Sequence, residues 1–234
     1  MHPLTGKTNV QGKMGIHQPS IIKFSNHANL MHVEHQTGWQ GFGKRLLDKT
    51  AALAGLVILS PVLLGASIAI KLDSDGPVIF RQPRHGKDNE IFHIWKFRTM
   101  TVMETGNDFV QAKNNDTRVT RIGNFLRRTS IDELPQLVNV LKGEMSLVGP
   151  RPHPVALNYE FALSINEYWN RHCVMPGLTG LAQVRGFRGP TDTLRKMQNR
   201  VDSDIEYVLN WSLLEDLKIL VMTPWLVVTG KNAL

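Results

Sequence analysis

The residues with the most chemical promise lie in Ser130-Ile-Asp-Glu-Leu-Pro135. Asp132 and Glu133 are adjacent carboxylates at an expected helix start, where the positive end of the helix dipole favours the ionised form. An ionised carboxylate can serve as a covalent nucleophile, with an aspartyl phosphate as one product, or as a ligand for magnesium. The same letters have a structural reading. Ser-x-x-Glu is a capping box, and Pro135 fits a helix that starts late with Asp132 as its cap. The motif alone favours the cap. Its surroundings favour chemistry: Arg127 and Arg128 precede the pair, and Arg151 is held between Pro150 and Pro152. Guanidinium groups match phosphate oxygens bidentately. A carboxylate pair, a hard cation such as Mg2+ and several arginines are what phosphoryl transfer from a diphosphate requires.

Other constellations are weaker. Lys96 and Arg98 form either an anion site or two solvated charges of an alternating strand. His153 is a candidate general acid, although a lone histidine in a proline-rich turn is more often structural. His172-Cys173 lacks a thiol-activating pattern, and Arg185 is either an anion contact or an exposed charge. There is no Walker loop and no GxGxxG, so nucleotide binding by those routes has no support.

The elements that must position these residues begin with an uncharged block. Thr50 to Ile70 is 21 residues without a charge, and about 20 apolar residues span a bilayer. Ser60-Pro61 interrupts it near the middle. Proline removes a helix hydrogen bond, and a neighbouring serine can satisfy the freed group where water is absent. Lys44, Arg45 and Lys49 precede the block, and Lys71, Arg81, Arg84 and Lys87 follow it. Positive charge marks the cytoplasmic side of a membrane segment, so positive charge at both ends fits a re-entrant hairpin better than a spanning helix. A buried core helix is the third reading. The formal charge of the 234-residue chain is +7. This surplus borders the apolar block, which points to anionic lipid headgroups and away from nucleic acid. The single Cys173 excludes an internal disulfide and any cysteine-rich zinc site.

Residues 1–40, with five of the nine histidines, read as a flexible arm without the regions of a signal peptide. Beyond the block the pattern is mixed α/β. Strands are expected at 77–81 and 91–98 around a turn at 84–89. Helices are expected at 119–128, at 130–142 closed by Gly143, at 155–171 and at 193–209. Residues 179–185 look strand-like. Ser212-Leu-Leu-Glu215 caps a last helix that meets Pro224 and ends near Gly230; its apolar run fits either a membrane surface or the core.

Several of these stretches are familiar together. Lys44-Arg-Leu-Leu-Asp48, the Ser60-Pro61 break, Phe80-Arg-Gln82, Lys96-Phe-Arg-Thr-Met100, Thr129 to Leu137, Asn139 to Pro152 and Pro176 to Val184 resemble the bacterial sugar transferase family, the monotopic phosphoglycosyl transferases. The resemblance covers residues 42–234 and suggests a minimal form of the family. It implies transfer of a sugar-1-phosphate from a UDP-sugar to polyprenyl (undecaprenyl) phosphate, with release of UMP. Asp132 would attack the sugar-linked phosphorus, Glu133 and Mg2+ would assist, and both carboxylates would be metal ligands. Arg127 and Arg151 match phosphate-holding arginines, Lys96 and Arg98 a basic strand, and Ser60-Pro61 the break of a re-entrant membrane helix. Gly186 to Leu194, Asn210 to Leu213 and Asp216 to Lys218 look like the glucose-1-phosphate branch of exopolysaccharide synthesis, with galactose-1-phosphate enzymes close by. The expected organisation is therefore an arm (1–40), a re-entrant membrane helix (41–73) and a small helix-rich catalytic domain with a short β-hairpin (74–234), on the cytoplasmic face of a bacterial inner membrane. A non-catalytic, membrane-anchored scaffold for glycan assembly is the competing class, one that has no need of the Asp132-Glu133 pair.

Overall fold

The computed structural model describes residues 38–101, 116–189, 191 and 193–229. The expected arm lies outside these residues except at its end, where Gly38 to Gln40 already belong to α1 (Gly38–Ile58). α1 meets α2 (Ser60–Asp73) at a bend of 61°. The cause is local. Pro61 has no N–H for the carbonyl of Val57, and Ser60 Oγ donates to that carbonyl instead, at 2.8 Å. Leu59 and Leu63 keep their bonds to Gly55 and Leu59, so the break is confined to one turn. No single helix among the described residues is long and apolar enough to cross a membrane; the bent pair together meets that test of length and composition. Val57, Ile58, Leu64 and Ile68 are exposed along it.

β1 (Ile79–His85) and β2 (Ile91–Phe97) form the expected hairpin, antiparallel with Phe80 opposite Lys96, but β1 starts two residues late and runs on through Arg84 and His85, where a turn was expected. α3 (Arg121–Thr129) starts two residues later than expected because Thr120 caps it, its side chain accepting from Gly123 N at 2.9 Å. The helix expected at 130–142 is broken. Ser130 takes a left-handed conformation with φ 60°, residues 131–133 form a 3₁₀ turn, and α4 (Gln136–Lys142) follows, ended by Gly143. β3 (Ser146–Val148) pairs in parallel with β4 (Gly177–Thr179), a sheet too short to leave an alternation in the sequence. Backbone approach here requires glycine: a Cβ on Gly177 would lie 2.1 Å from Gly149 N.

The helix expected at 155–171 stops early. α5 (Val155–Ala162) is followed by a 3₁₀ stretch at Tyr168–Cys173, separated from it by Glu167 at φ 60°. Residues 179–185 leave the strand at once and form a helical turn, α6 (Leu181–Val184). α7 (Leu194–Leu209) and α8 (Leu213–Thr229) complete the chain. The Ser212 cap forms, with Glu215 N donating to Ser212 Oγ at 3.2 Å. The principal core gathers α1, α4, both sheets, α7 and α8 around Ala52, Ile94, Val140, Val148, Tyr207 and Ile219. A large apolar side chain buried in this way contributes about 1.5–3 kcal/mol. α8 turns only a narrow face inward: Ile219 is buried, while Leu214, Leu217, Val221, Met222 and Trp225 are exposed.

Candidate active site

The left-handed Ser130 decides the site. It ends α3 and swings Asp132 and Glu133 into a tight turn. The capping box does not form. Ser130 caps no amide, and its Oγ accepts from Arg188 Nη2 at 2.7 Å. Glu133 turns away from the backbone towards three cations. Its Oε1 receives Lys96 Nζ at 2.9 Å and Arg151 Nη2; its Oε2 receives Arg151 Nη1 at 3.2 Å and faces Arg188 Nη2 at 3.6 Å. Burial alone would raise the Glu133 pKa, but Arg151 and Lys96 outweigh it and hold the carboxyl well below the usual range.

Asp132 differs from its neighbour. Among the described residues its carboxylate accepts no hydrogen bond and joins no ion pair. Burial and the charge of Glu133 push its pKa up to about 6, against the pull of Lys96, Arg127 and Arg151. The pair thus holds one carboxylate clamped in place and one with open oxygens, still mostly ionised at neutral pH.

The cations reach the pair from separate elements. Lys96 projects from β2 on the face opposite Trp95, whose ring lies against Arg81 and Lys142. Arg127, in the last turn of α3, donates through Nε to Thr99 Oγ1 at 2.9 Å and interacts with the Asp132 charge. Arg151 follows β3, and its segment is gripped by its backbone. Arg171 Nη2 donates to Arg151 O at 2.6 Å, and Arg84 Nη1 donates to Pro152 O at 3.1 Å. Arg171 is fixed in turn by Asp204 at 2.6 Å. Lys96, Arg127, Arg151 and Arg188 thus face two carboxylates with Arg84 close by, a surplus of positive charge that suits a multiply charged anion.

Other expected site residues lie elsewhere. Arg98 does not point at the pair: its backbone N–H still bonds Val78 O at 2.9 Å, one step beyond β2, but its side chain is engaged elsewhere. Its guanidinium instead donates to Ser74 O at 2.6 Å and to Asp75 O, stapling the end of α2 to the hairpin. His153 is buried between Arg171 Nη1 at 3.0 Å and Arg200 Nη1 at 3.4 Å, and both burial and those arginines keep it neutral. Arg185 forms an exposed pair with Glu206 at 2.5 Å. The Cys173 thiol is pushed up by burial. Arg188 is the site residue that sequence reasoning missed; it lies in the Gly186 to Leu194 stretch that resembles the glucose-1-phosphate branch, but a charge between Gly186 and Gly189 has no pattern that points to the carboxylates.

Among the described residues no group of three or more His, Cys, Asp or Glu side chains gathers to hold a metal. Magnesium needs only one or two carboxylates and draws its other ligands from substrate phosphate and water, so of this pair Asp132 alone fits it as the side chains stand. Asp132 has open oxygens for that purpose, and Glu133 already shares its own among three cations.

Comparison with known proteins places the sequence in a family. A family model described as bacterial sugar transferase matches residues 39–230. A UDP-glucose:undecaprenyl-phosphate glucose-1-phosphate transferase of Escherichia coli is 54% identical over 180 residues, covering 77% of this chain and 39% of the relative. A protein of the same name from Caulobacter vibrioides is 52% identical over 190 residues, covering 81% of this chain and 71% of the relative. An exopolysaccharide production protein of Rhizobium leguminosarum is 47% identical over 184 residues, 77% of this chain and 92% of the relative. The chain thus spans about two fifths of the E. coli relative's length and most of the other two. With the family model spanning residues 39–230 and a relative 52% identical over most of both chains, the chain belongs to the bacterial sugar transferase family.

Proposed function

We propose that the protein transfers glucose-1-phosphate from UDP-glucose to undecaprenyl phosphate and releases UMP, as the first step of exopolysaccharide repeat assembly. The observation that carries this reading is the asymmetry of the pair: Asp132 is ionisable and unbonded, while Glu133 is locked by Lys96, Arg151 and Arg188. An Asp132 oxygen attacks the sugar-linked phosphorus. The bond from that phosphorus to the bridging oxygen breaks, and UMP leaves with the electron pair. An oxygen of the lipid phosphate then attacks the same phosphorus and displaces the Asp132 carboxylate, giving polyprenyl diphosphoglucose. One phosphate anhydride replaces another, so no ATP is needed.

Arg127 and Arg151 hold phosphate oxygens, and Lys96 and Glu133 keep Arg151 aimed. Asp132 would hold Mg2+ together with the diphosphate, joined by Glu133 on exchanging one of its cations for the metal, and the ion would neutralise charge on the transferred group. Glucose is preferred to galactose because the E. coli and Caulobacter relatives carry glucose in their names.

The site lies at the membrane in this reading. The bent α1–α2 pair enters and leaves on the cytoplasmic face of the inner membrane, and the exposed apolar face of α8 lies along the headgroups. The unpartnered Val57, Ile58, Leu64, Val221 and Trp225 side chains support this, as do the exposed Arg45, Lys49 and Lys71. The test is UMP release by the full chain in detergent, with UDP-glucose and undecaprenyl phosphate. Asp132→Asn is expected to lose at least ~10³-fold; a normal rate in that variant would reject the mechanism.

A further inference from the structure

Lys44 belongs to the basic flank of the apolar block, yet it is not exposed to lipid. It is 5% exposed, and Asp216, its partner 172 residues away, is 1% exposed. Lys44 Nζ donates to Asp216 Oδ2 at 2.6 Å and to Val148 O at 3.1 Å. One turn on, Asp48 Oδ1 accepts from Leu147 N at 3.0 Å. Tyr207 donates to Asp216 Oδ1 at 2.7 Å and reaches the same Val148 O at 3.1 Å. Leu147 N–H and Val148 C=O of β3 are therefore bonded by side chains of α1 and α7 in place of a third strand, while Ser146 Oγ of β3 itself takes Val148 N–H and also donates to Val148 O.

A buried ion pair is seldom the most stable way to fill a core, because desolvation offsets most of its attraction. What this one does is fix a position. Val148 lies three residues before Arg151, and the link is stiff: Gly149 N bonds Thr179 O, Gly177 N bonds Pro150 O, both at 2.9 Å, and a proline stands on either side of Arg151. A shift of β3 therefore passes to the Arg151 guanidinium and so to Glu133.

We infer that Lys44, Asp48 and Asp216 form a latch through which the seating of α1 sets Arg151 against Glu133 and the substrate phosphate. They are positioning residues and touch no reacting atom. The inference rests on the proposed reaction for its kinetic consequences but not for its structural ones.

The test uses the full chain in detergent with UDP-glucose and undecaprenyl phosphate. The double variant Lys44→Met/Asp216→Asn removes the 2.6 Å pair together; Asp48, 3.8 Å from Lys44 Nζ, loses that cation but keeps its bond from Leu147 N–H. It is expected to lower kcat/KM for UDP-glucose about tenfold, mainly through KM, and less than about twofold in an Arg151→Lys background, where there is no guanidinium left to place. Asp48→Ala is expected to behave like the double variant. Asp48→Asn keeps an acceptor for Leu147 N–H and is expected to stay near the parent rate, so this pair decides the matter if the double variant does not fold. Additive losses in the Arg151→Lys background, or equal rates for Asp48→Ala and the parent, overturn the latch. Hydrogen exchange at residues 147–151 gives a readout free of activity. It is expected to quicken in Asp48→Ala while α5 and α7 are unchanged, and unaltered exchange rejects the latch. A parent protein that releases no UMP would overturn the proposed reaction alone, and the exchange result would still decide the latch.

Discussion

Replacing Asp132 by asparagine removes a charge that the fold holds at a cost. The carboxyl is 8% exposed, and its pKa is raised from 3.8 to about 6 by burial and by Glu133. A group whose folded pKa lies above its unfolded one stabilises the fold fully below pH 3.8 and loses that contribution as pH rises through about 6. Each pKa unit corresponds to about 1.4 kcal/mol, so the ionised Asp132 costs about 3 kcal/mol at pH 8. Asn has a similar shape and no charge. Asp132→Asn is therefore expected to be more stable than the parent by about 3 kcal/mol at pH 8, and by little near pH 4. For a chain of this size that is a rise in Tm of roughly 6–12 °C at pH 8. The assay is thermal unfolding of the detergent-solubilised protein, followed by tryptophan fluorescence at pH 8, 6 and 4.5. An inactive variant whose stability gain grows with pH fits a nucleophile held ready in a dry, crowded site. A variant less stable than the parent at pH 8 would show that Asp132 is a structural anchor, and the assignment of the free and clamped carboxylates would be wrong.

The neighbouring carboxylate is expected to behave in the opposite way. Glu133→Gln leaves the half-buried Lys96 and Arg151 without their counter-ion, and should destabilise at neutral pH by less than the ~3–5 kcal/mol of a fully buried pair as well as cutting activity; denaturation at pH 7.5 checks the sign. The pH profile of kcat/KM for UDP-glucose should rise through about pH 6 and then level off, with the rate at pH 5 about a tenth of the plateau, as Asp132 ionises; a flat profile from pH 5 to 8 would exclude Asp132 as the ionising group. Re-entry of the bent helix pair is checked in a Cys173→Ala background with Phe42→Cys and Ser74→Cys tags. Both should react with a membrane-impermeant maleimide only from the cytoplasmic side, and labelling of either from the outer side would mean a spanning segment.

The parts legible in the sequence were those fixed by local chemistry. Pro61 cannot donate a hydrogen bond, so the break was readable, down to the serine that serves the freed carbonyl. The β-hairpin, the Gly143 stop and the Ser212 cap were readable for the same reason. The parts not legible depend on partners distant in the chain. Ser130 and Glu133 spell a capping box, but Arg188, Arg151 and Lys96 outbid the local amides for their oxygens. Lys44 looks like a lipid-facing charge until Asp216 comes beside it. Arg98 follows Lys96 in the strand pattern, but the carbonyls of Ser74 and Asp75 at the end of α2 capture its guanidinium.

The most direct measurement is to incubate the purified protein with UDP-glucose and no lipid phosphate, then determine intact mass and map the peptides. One hexose phosphate per chain is expected on the peptide containing Asp132, lost when undecaprenyl phosphate is added and absent from Asp132→Asn. Enzyme that turns over normally but carries no such adduct, or carries it on another residue, would contradict Asp132 as the nucleophile.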